Sequence, residues 1–97
     1  VTQNGVPFLQ KSELQSSISI LKSLFSDSTC FLSTVPTYAG GPMAFGWGTD
    51  NNKLRKNSIH LIEKRFKEAA LMLRYYNPSL HRSAFVLPTY IETIIKD

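Results

Sequence analysis

Apolar residues recur at helical spacing early in the chain: Leu14, Ile18, Leu21 and Phe25, separated by Gln15, Ser16, Ser19, Lys22 and Ser23. Such a stripe belongs to an amphipathic helix with one face on a core. Ser12-Glu13-Leu14-Gln15 has the form of a capping box, a hydroxyl followed three residues later by Gln. The pattern predicts a helix from about Ser12 to Phe25, laid on a sheet. Before it, Val6-Pro7-Phe8 suggests the end of a strand entering a turn. After it, Ser28 to Val35 reads as a strand, because Cys30-Phe31-Leu32-Ser33-Thr34-Val35 is rich in β-formers and too short for a helix. Pro36, lacking an N–H, ends the regular pairing.

Met43-Ala44-Phe45-Gly46-Trp47-Gly48 alternates large and small side chains. In a strand these fall on opposite faces, so something must pack closely on the small one. Thr37 to Pro42 would join the two strands as a hairpin, with Gly40-Gly41 supplying positive φ. Thr49-Asp50-Asn51-Asn52 is a polar loop. A second helix is predicted from Ser58 to Leu71 on the stripe Ile59, Ile62, Phe66 and Ala69. Leu73-Arg74-Tyr75-Tyr76 reads as a short extended piece, Asn77-Pro78 as a turn or helix start, and Pro88 to Ile95 as a short helix. Strand, helix, strand and tight return strand in this order imply a mostly parallel sheet that ends in an antiparallel edge. A second strand-helix-strand half is missing.

With 97 residues, the chain is one domain or less. At this size only about 60–65% of the unfolded surface is buried, so the core is thin. A hydrophobic content of 42% against 19% charged is that of a folded chain. The formal net charge is +4, and the basic residues gather in Lys53-Leu54-Arg55-Lys56 and Lys64-Arg65-Phe66-Lys67. Glu63 and Glu68 interrupt the second group, so the pattern reads as a solvated loop and helix face, not as a nucleic-acid surface. The lone Cys30 has no partner for a disulfide, and there is no leader-like or membrane-spanning apolar run. These features point to the cytoplasm. His60 and His81 are far apart in sequence and remote from Cys30, so no metal-ligand spacing exists. His60 is expected on a polar helix face and His81 in the final loop. Trp47, Tyr75 and Tyr76 read as packing residues. No phosphate-binding or dinucleotide-binding glycine motif is present.

Several segments together carry a more specific message. They are Gln3-Asn4-Gly5-Val6-Pro7-Phe8, Val35-Pro36-Thr37-Tyr38-Ala39-Gly40-Gly41-Pro42-Met43-Ala44-Phe45-Gly46-Trp47, Thr49-Asp50-Asn51, Arg74-Tyr75-Tyr76-Asn77-Pro78 with His81 and Ala84-Phe85, and Leu87-Pro88 with Tyr90. In this order and spacing the chain resembles the C-terminal portion of bacterial polyamine aminopropyltransferases of the spermidine synthase type, over essentially its whole length. The Pro-Thr-Tyr-x-Gly-Gly segment is the most specific part. The resemblance implies an α/β fold: a C-terminal fragment of a Rossmann-like, methyltransferase-type domain, with a mixed sheet ending in an antiparallel hairpin. Residues 1–97 would be the C-terminal part of a spermidine synthase-like catalytic domain without its cofactor-loop half.

The family transfers an aminopropyl group from decarboxylated S-adenosylmethionine to putrescine. The resemblance makes Tyr38 the tyrosine whose hydroxyl faces the substrate amine, Gln3 a glutamine at the polyamine end of the pocket, and Met43 a pocket-wall side chain. Ala39 stands where the family often has proline, and Asn4-Gly5 where it often has a hydroxyl residue and an acid. The attacking amine must lose a proton, which calls for a carboxylate base. The carboxylates here are Glu13, Asp27, Asp50, Glu63, Glu68, Glu92 and Asp97, and none lies beside Tyr38 or Gln3 in sequence. The family's cofactor loop and essential Asp have no counterpart. The chain alone is therefore expected to be inactive, to hold no cofactor and no catalytic residue, and to contribute part of a polyamine pocket. It is expected to associate as a homo-oligomer or with a missing N-terminal portion. The alternative is a non-catalytic binding or interaction module derived from the enzyme.

Overall fold

The computed structural model describes residues 1–96. Their order is β1 (Thr2–Gln3), α1 (Lys11–Leu24), β2 (Asp27–Ser33), β3 (Met43–Thr49), a 3-10 turn (Leu54–Lys56), α2 (Ile59–Ala69), α3 (Pro78–Ser83) and α4 (Thr89–Ile95). The sheet runs β1-β3-β2, and both pairings are antiparallel. β1 and β2 thus point the same way on either side of β3, connected through α1. The expected strand-helix-strand unit is present, but the return strand lies between its two strands and not at an outer edge. The small face of β3 permits this. A Cβ on Gly46 would strike the side chains of Thr2, Asn4 and Leu21, and one on Gly48 would come within 2.6 Å of the Phe25 ring.

The hairpin forms as the alternation requires, with register from Asp27↔Thr49 to Ser33↔Met43. Gly40 and Gly41 turn the chain at φ 98° and 119°, the left-handed region that only glycine enters cheaply. β2 ends at Ser33, short of the predicted Val35. The Thr34 N–H donates to the Tyr75 hydroxyl at 3.1 Å and so leaves the ladder.

α1 begins at Lys11, and the predicted capping box does not form. The N–H groups of Leu9 and Gln10 both donate to the Val6 carbonyl, at 3.0 and 2.8 Å, so the chain enters the helix from a turn. Gln10 takes the N-cap position without a side-chain cap, and Ser12 falls inside the first turn. Leu14 and Ile18 of α1, Cys30 and Ala44 of the sheet, and Ile91 and Ile94 of α4 make one buried cluster. Full burial of each Leu or Ile there contributes about 1.5–3 kcal/mol. Lys22 Nζ donates to the Ile95 carbonyl and ties α1 to the end of α4.

The other face of the sheet is aromatic. Phe31 stacks on Phe45 at 5.3 Å, and Trp47 meets Phe85 edge-on at 5.4 Å. α2 starts where Ser58 Oγ accepts from the Leu61 N–H at 3.2 Å. It ends at Ala69, before the predicted Leu71, because Ala70 adopts φ 52°. Of its predicted stripe only Ile62 is buried. Leu73–Tyr76 forms no strand and passes as a bend. Asn77 caps α3 through an Oδ1 that accepts from the Leu80 N–H at 2.8 Å, with Pro78 in the first position. His81 lies in α3 and not in the final loop. Among the described residues no helix is long and apolar enough to cross a membrane.

Candidate functional site

Three segments converge at the β1 end of the sheet. β1 supplies Gln3, the Val6–Gln10 turn leads into α1, and the hairpin turn carries Tyr38 to the start of β3 at Met43. The pairing Gln3↔Phe45 sets β1 beside β3. The Asn4 N–H donates to the Ala44 carbonyl at 2.9 Å, and the Ala44 N–H to the Gly5 carbonyl at 2.8 Å, which extends the contact past the strand. The hairpin turn is fixed from two sides. The Tyr38 N–H donates to the Val35 carbonyl at 3.0 Å, and Leu9 packs where a Gly40 Cβ would otherwise lie.

The result is a cleft of about 280 Å³ lined by Gln3, Gly5, Val6, Gln10, Tyr38 and Met43. All three residues singled out in the sequence, Gln3, Tyr38 and Met43, line it. Tyr38 is half-exposed, whereas Met43 is buried at 4% exposure. Gln3 Nε2 donates to the Met43 sulfur at 3.7 Å. Gln10 is the lining residue that sequence reasoning missed. Its Oε1 accepts from the Val6 N–H at 2.9 Å and holds the amide over Gly5. Its only sequence signal was its place just before the helix, which the capping-box reading assigned to Ser12.

Chemically the cleft is polar and uncharged. It offers two amides, a phenol and a thioether beside apolar Val6. Amide oxygens and a phenol can accept from an ammonium, and Val6 and Met43 can lie along a methylene chain. None of the residues lining it is a carboxylate, so the cleft can orient an amine but cannot deprotonate it. Of the seven carboxylates, Asp97 lies outside the described residues.

A few titratable groups are engaged elsewhere. Asp27, buried at the start of β2, accepts from Arg55 Nε at 2.8 Å and Arg55 Nη2 at 2.9 Å, and from Trp47 Nε1 at 3.3 Å. The Arg55 hydrogen bonds hold its carboxyl below the usual range. Arg55 is therefore half of an ion pair and not the solvated loop cation expected from the basic cluster. Burial pushes the Cys30 thiol up to about 11, which leaves it inert. Tyr76 Oη and His81 Nδ1 share a hydrogen bond of 2.6 Å. Among the described residues no group of three metal-ligating side chains exists.

A second cavity, of about 250 Å³, opens on the aromatic face between α3 and the sheet, against Phe31, Trp47, Tyr75 and Phe85. It is almost wholly carbon-lined, and Phe31, Trp47 and Phe85 already pack on one another. It is a poorer receptor for a dication than the cleft at Tyr38.

The fold is that of part of a Rossmann-like, methyltransferase-type domain. The backbone matches spermidine synthase from Thermotoga maritima with a TM-score of 0.81 and 16% identity, over 97% of this chain and 31% of that one. It matches equally well a spermidine synthase solved with the transition state analogue AdoDATO, at TM-score 0.81, over 97% of this chain and 32% of that one. In sequence it is 48% identical over 94 residues to a polyamine aminopropyltransferase of Ruegeria sp. (strain TM1040), covering 97% of this chain and 33% of the relative. The corresponding protein of Salmonella agona is 48% identical over 91 residues, 94% of this chain and 32% of the relative. No family model matches the chain. The chain is thus homologous to polyamine aminopropyltransferases and corresponds to the C-terminal portion of one, spanning about a third of the relatives' length.

Proposed function

We propose that this chain provides the polyamine-facing wall of an aminopropyl-transfer site, as the C-terminal part (residues 1–97) of a spermidine synthase-like catalytic domain working in the cytoplasm. The observation that carries the reading is the shared cleft. Gln3 and Met43 are forty positions apart and Tyr38 sits in the turn between, yet all three line one uncharged pocket with acceptors at its wall. In this reading putrescine or a related diamine lies along Met43 and Val6. Gln3 accepts from one ammonium, and the Tyr38 hydroxyl meets the other nitrogen. Decarboxylated S-adenosylmethionine would be the aminopropyl donor, held by protein outside this chain, and the base that frees the attacking amine would come from there too. The reacting amine then displaces methylthioadenosine at the carbon beside the sulfonium, while this wall keeps the diamine aligned.

The test is reconstitution. The chain is mixed with the N-terminal two-thirds of the Ruegeria relative, and spermidine formation from putrescine is followed. Activity should appear only in the mixture and fall about tenfold to a hundredfold with Tyr38→Phe, the loss of one positioning hydrogen bond in the transition state. Activity unaffected by Tyr38→Phe would refute the assigned wall. Strong Tyr38-dependent diamine binding by the chain alone, with no activity in the mixture, would favour a non-catalytic binding module.

A further inference from the structure

The cleft contains two primary amides whose orientations are set in opposite senses. Gln10 spends its carbonyl on the Val6 N–H at 2.9 Å. Gln3 spends its amino end on the Met43 sulfur at 3.7 Å. A thioether sulfur carries lone pairs and no proton, so it can accept but never donate. Turning the Gln3 amide over would set its oxygen against that sulfur, acceptor against acceptor. Met43 is 4% exposed, so the sulfur is held in place by packing and Gln3 adapts to it. The Gln3 carbonyl oxygen is thereby left with no side-chain partner among the described residues.

We infer that Met43 is a positioning residue that sets the charge preference of the cleft: its sulfur anchors the Gln3 amino group and so presents the Gln3 carbonyl oxygen to a ligand ammonium. This rests on the diamine reading of the cleft and goes beyond it, because it gives Met43 a polar task in addition to its place in the wall. Leucine at position 43 conserves volume and packs in a similar space. It cannot accept a hydrogen bond, so Gln3 could then turn its amino group into the cleft, where it opposes a cation.

The inference is tested with a cycle of four proteins: the wild type, Met43→Leu, Gln3→Glu and the double variant, each titrated with putrescine. Met43→Leu should weaken binding about threefold to tenfold when residue 3 is Gln, the value of one hydrogen bond correctly oriented. It should have no effect when residue 3 is Glu, since a carboxylate presents oxygen whichever way it turns. An equal loss in both backgrounds overturns the inference and reduces Met43 to a wall. A second readout needs no ligand. In the free chain the Gln3 side-chain NH₂ resonances should shift, and exchange faster with water, on Met43→Leu. Unchanged resonances also overturn it. If no variant binds putrescine, either alone or mixed with the N-terminal two-thirds of the Ruegeria relative, the diamine reading fails, and the amide resonances decide the Met43–Gln3 contact separately.

Discussion

The two faces of the sheet are built by different means. On one, α1 and α4 bury Leu14, Ile18, Ile91 and Ile94 against Cys30 and Ala44 in one continuous cluster, while Ile20 and Leu24 on the outer side of α1 stand 60% and 64% exposed. On the other, α2 and α3 bury only Ile62, while Leu71, Met72 and Leu73 stand 56%, 98% and 49% exposed. That side is pinned instead by directed polar contacts: Asp27 with Arg55, Thr34 with Tyr75, and Tyr76 with His81. The first face is a core and the second is a set of tethers over a partly open apolar layer. A chain that spans a third of its relatives would show this asymmetry if the second face is completed by further protein.

The sharpest way to break the comparison is in the core. Leu14→Ala should cost about 3 kcal/mol and lower the urea midpoint of the whole chain, with α2 and α3 lost in the same transition. Next comes the strongest tether. Asp27→Ala leaves the Arg55 guanidinium without its partner and should cost about 2 kcal/mol. It should also change the acid limb of stability. The Asp27 carboxyl is lowered in the folded chain, so its contribution is present above the unfolded value of about 3.9 and is lost as pH falls through the folded value. Asp27→Asn should flatten that limb, measured by urea titrations between neutral and strongly acid pH. An unchanged acid limb would mean that Asp27 and Arg55 are not paired in solution.

Smaller still, Tyr76→Phe should cost about 1 kcal/mol and raise amide exchange in residues 59–83 well above any change in α1. Uniform acceleration would show that the two faces are not separable. Least of all, Met72→Ser should alter stability by about 0.5 kcal/mol or less, as expected for an exposed site, while lowering the tendency to self-associate in sedimentation.

The same division governs what was legible in the sequence. The Leu14–Phe25 stripe, the hairpin glycines and the small face of β3 are local patterns with a single structural solution, and each is found. The insertion of β3 between β1 and β2 was hidden because strand order depends on contacts distant in sequence; the glycines implied close packing but not by what. The capping box failed because the preceding Val6–Gln10 turn competed for the helix start. The Asp27–Arg55 pair was invisible because nothing in a basic loop signals a carboxylate twenty-eight residues earlier. α2 was drawn too long because its apolar stripe runs on past Ala69 without regard to the backbone reversal at Ala70. At the cleft, Tyr38, Gln3 and Met43 came from family resemblance, whereas Gln10 required the turn geometry to be seen.

The central claim, that the Gln3–Tyr38–Met43 cleft faces a diamine, is tested most directly by the chain's two methionines. Met43 lies in the cleft, whereas Met72 is 98% exposed and is not among the residues that line it. With both methyl groups labelled for NMR, titration with putrescine should shift the Met43 signal and leave Met72 unmoved, and the uncharged analogue butane-1,4-diol should shift neither. A Met43 signal that stays fixed while Met72 moves, or one that responds equally to the diol, would contradict the account.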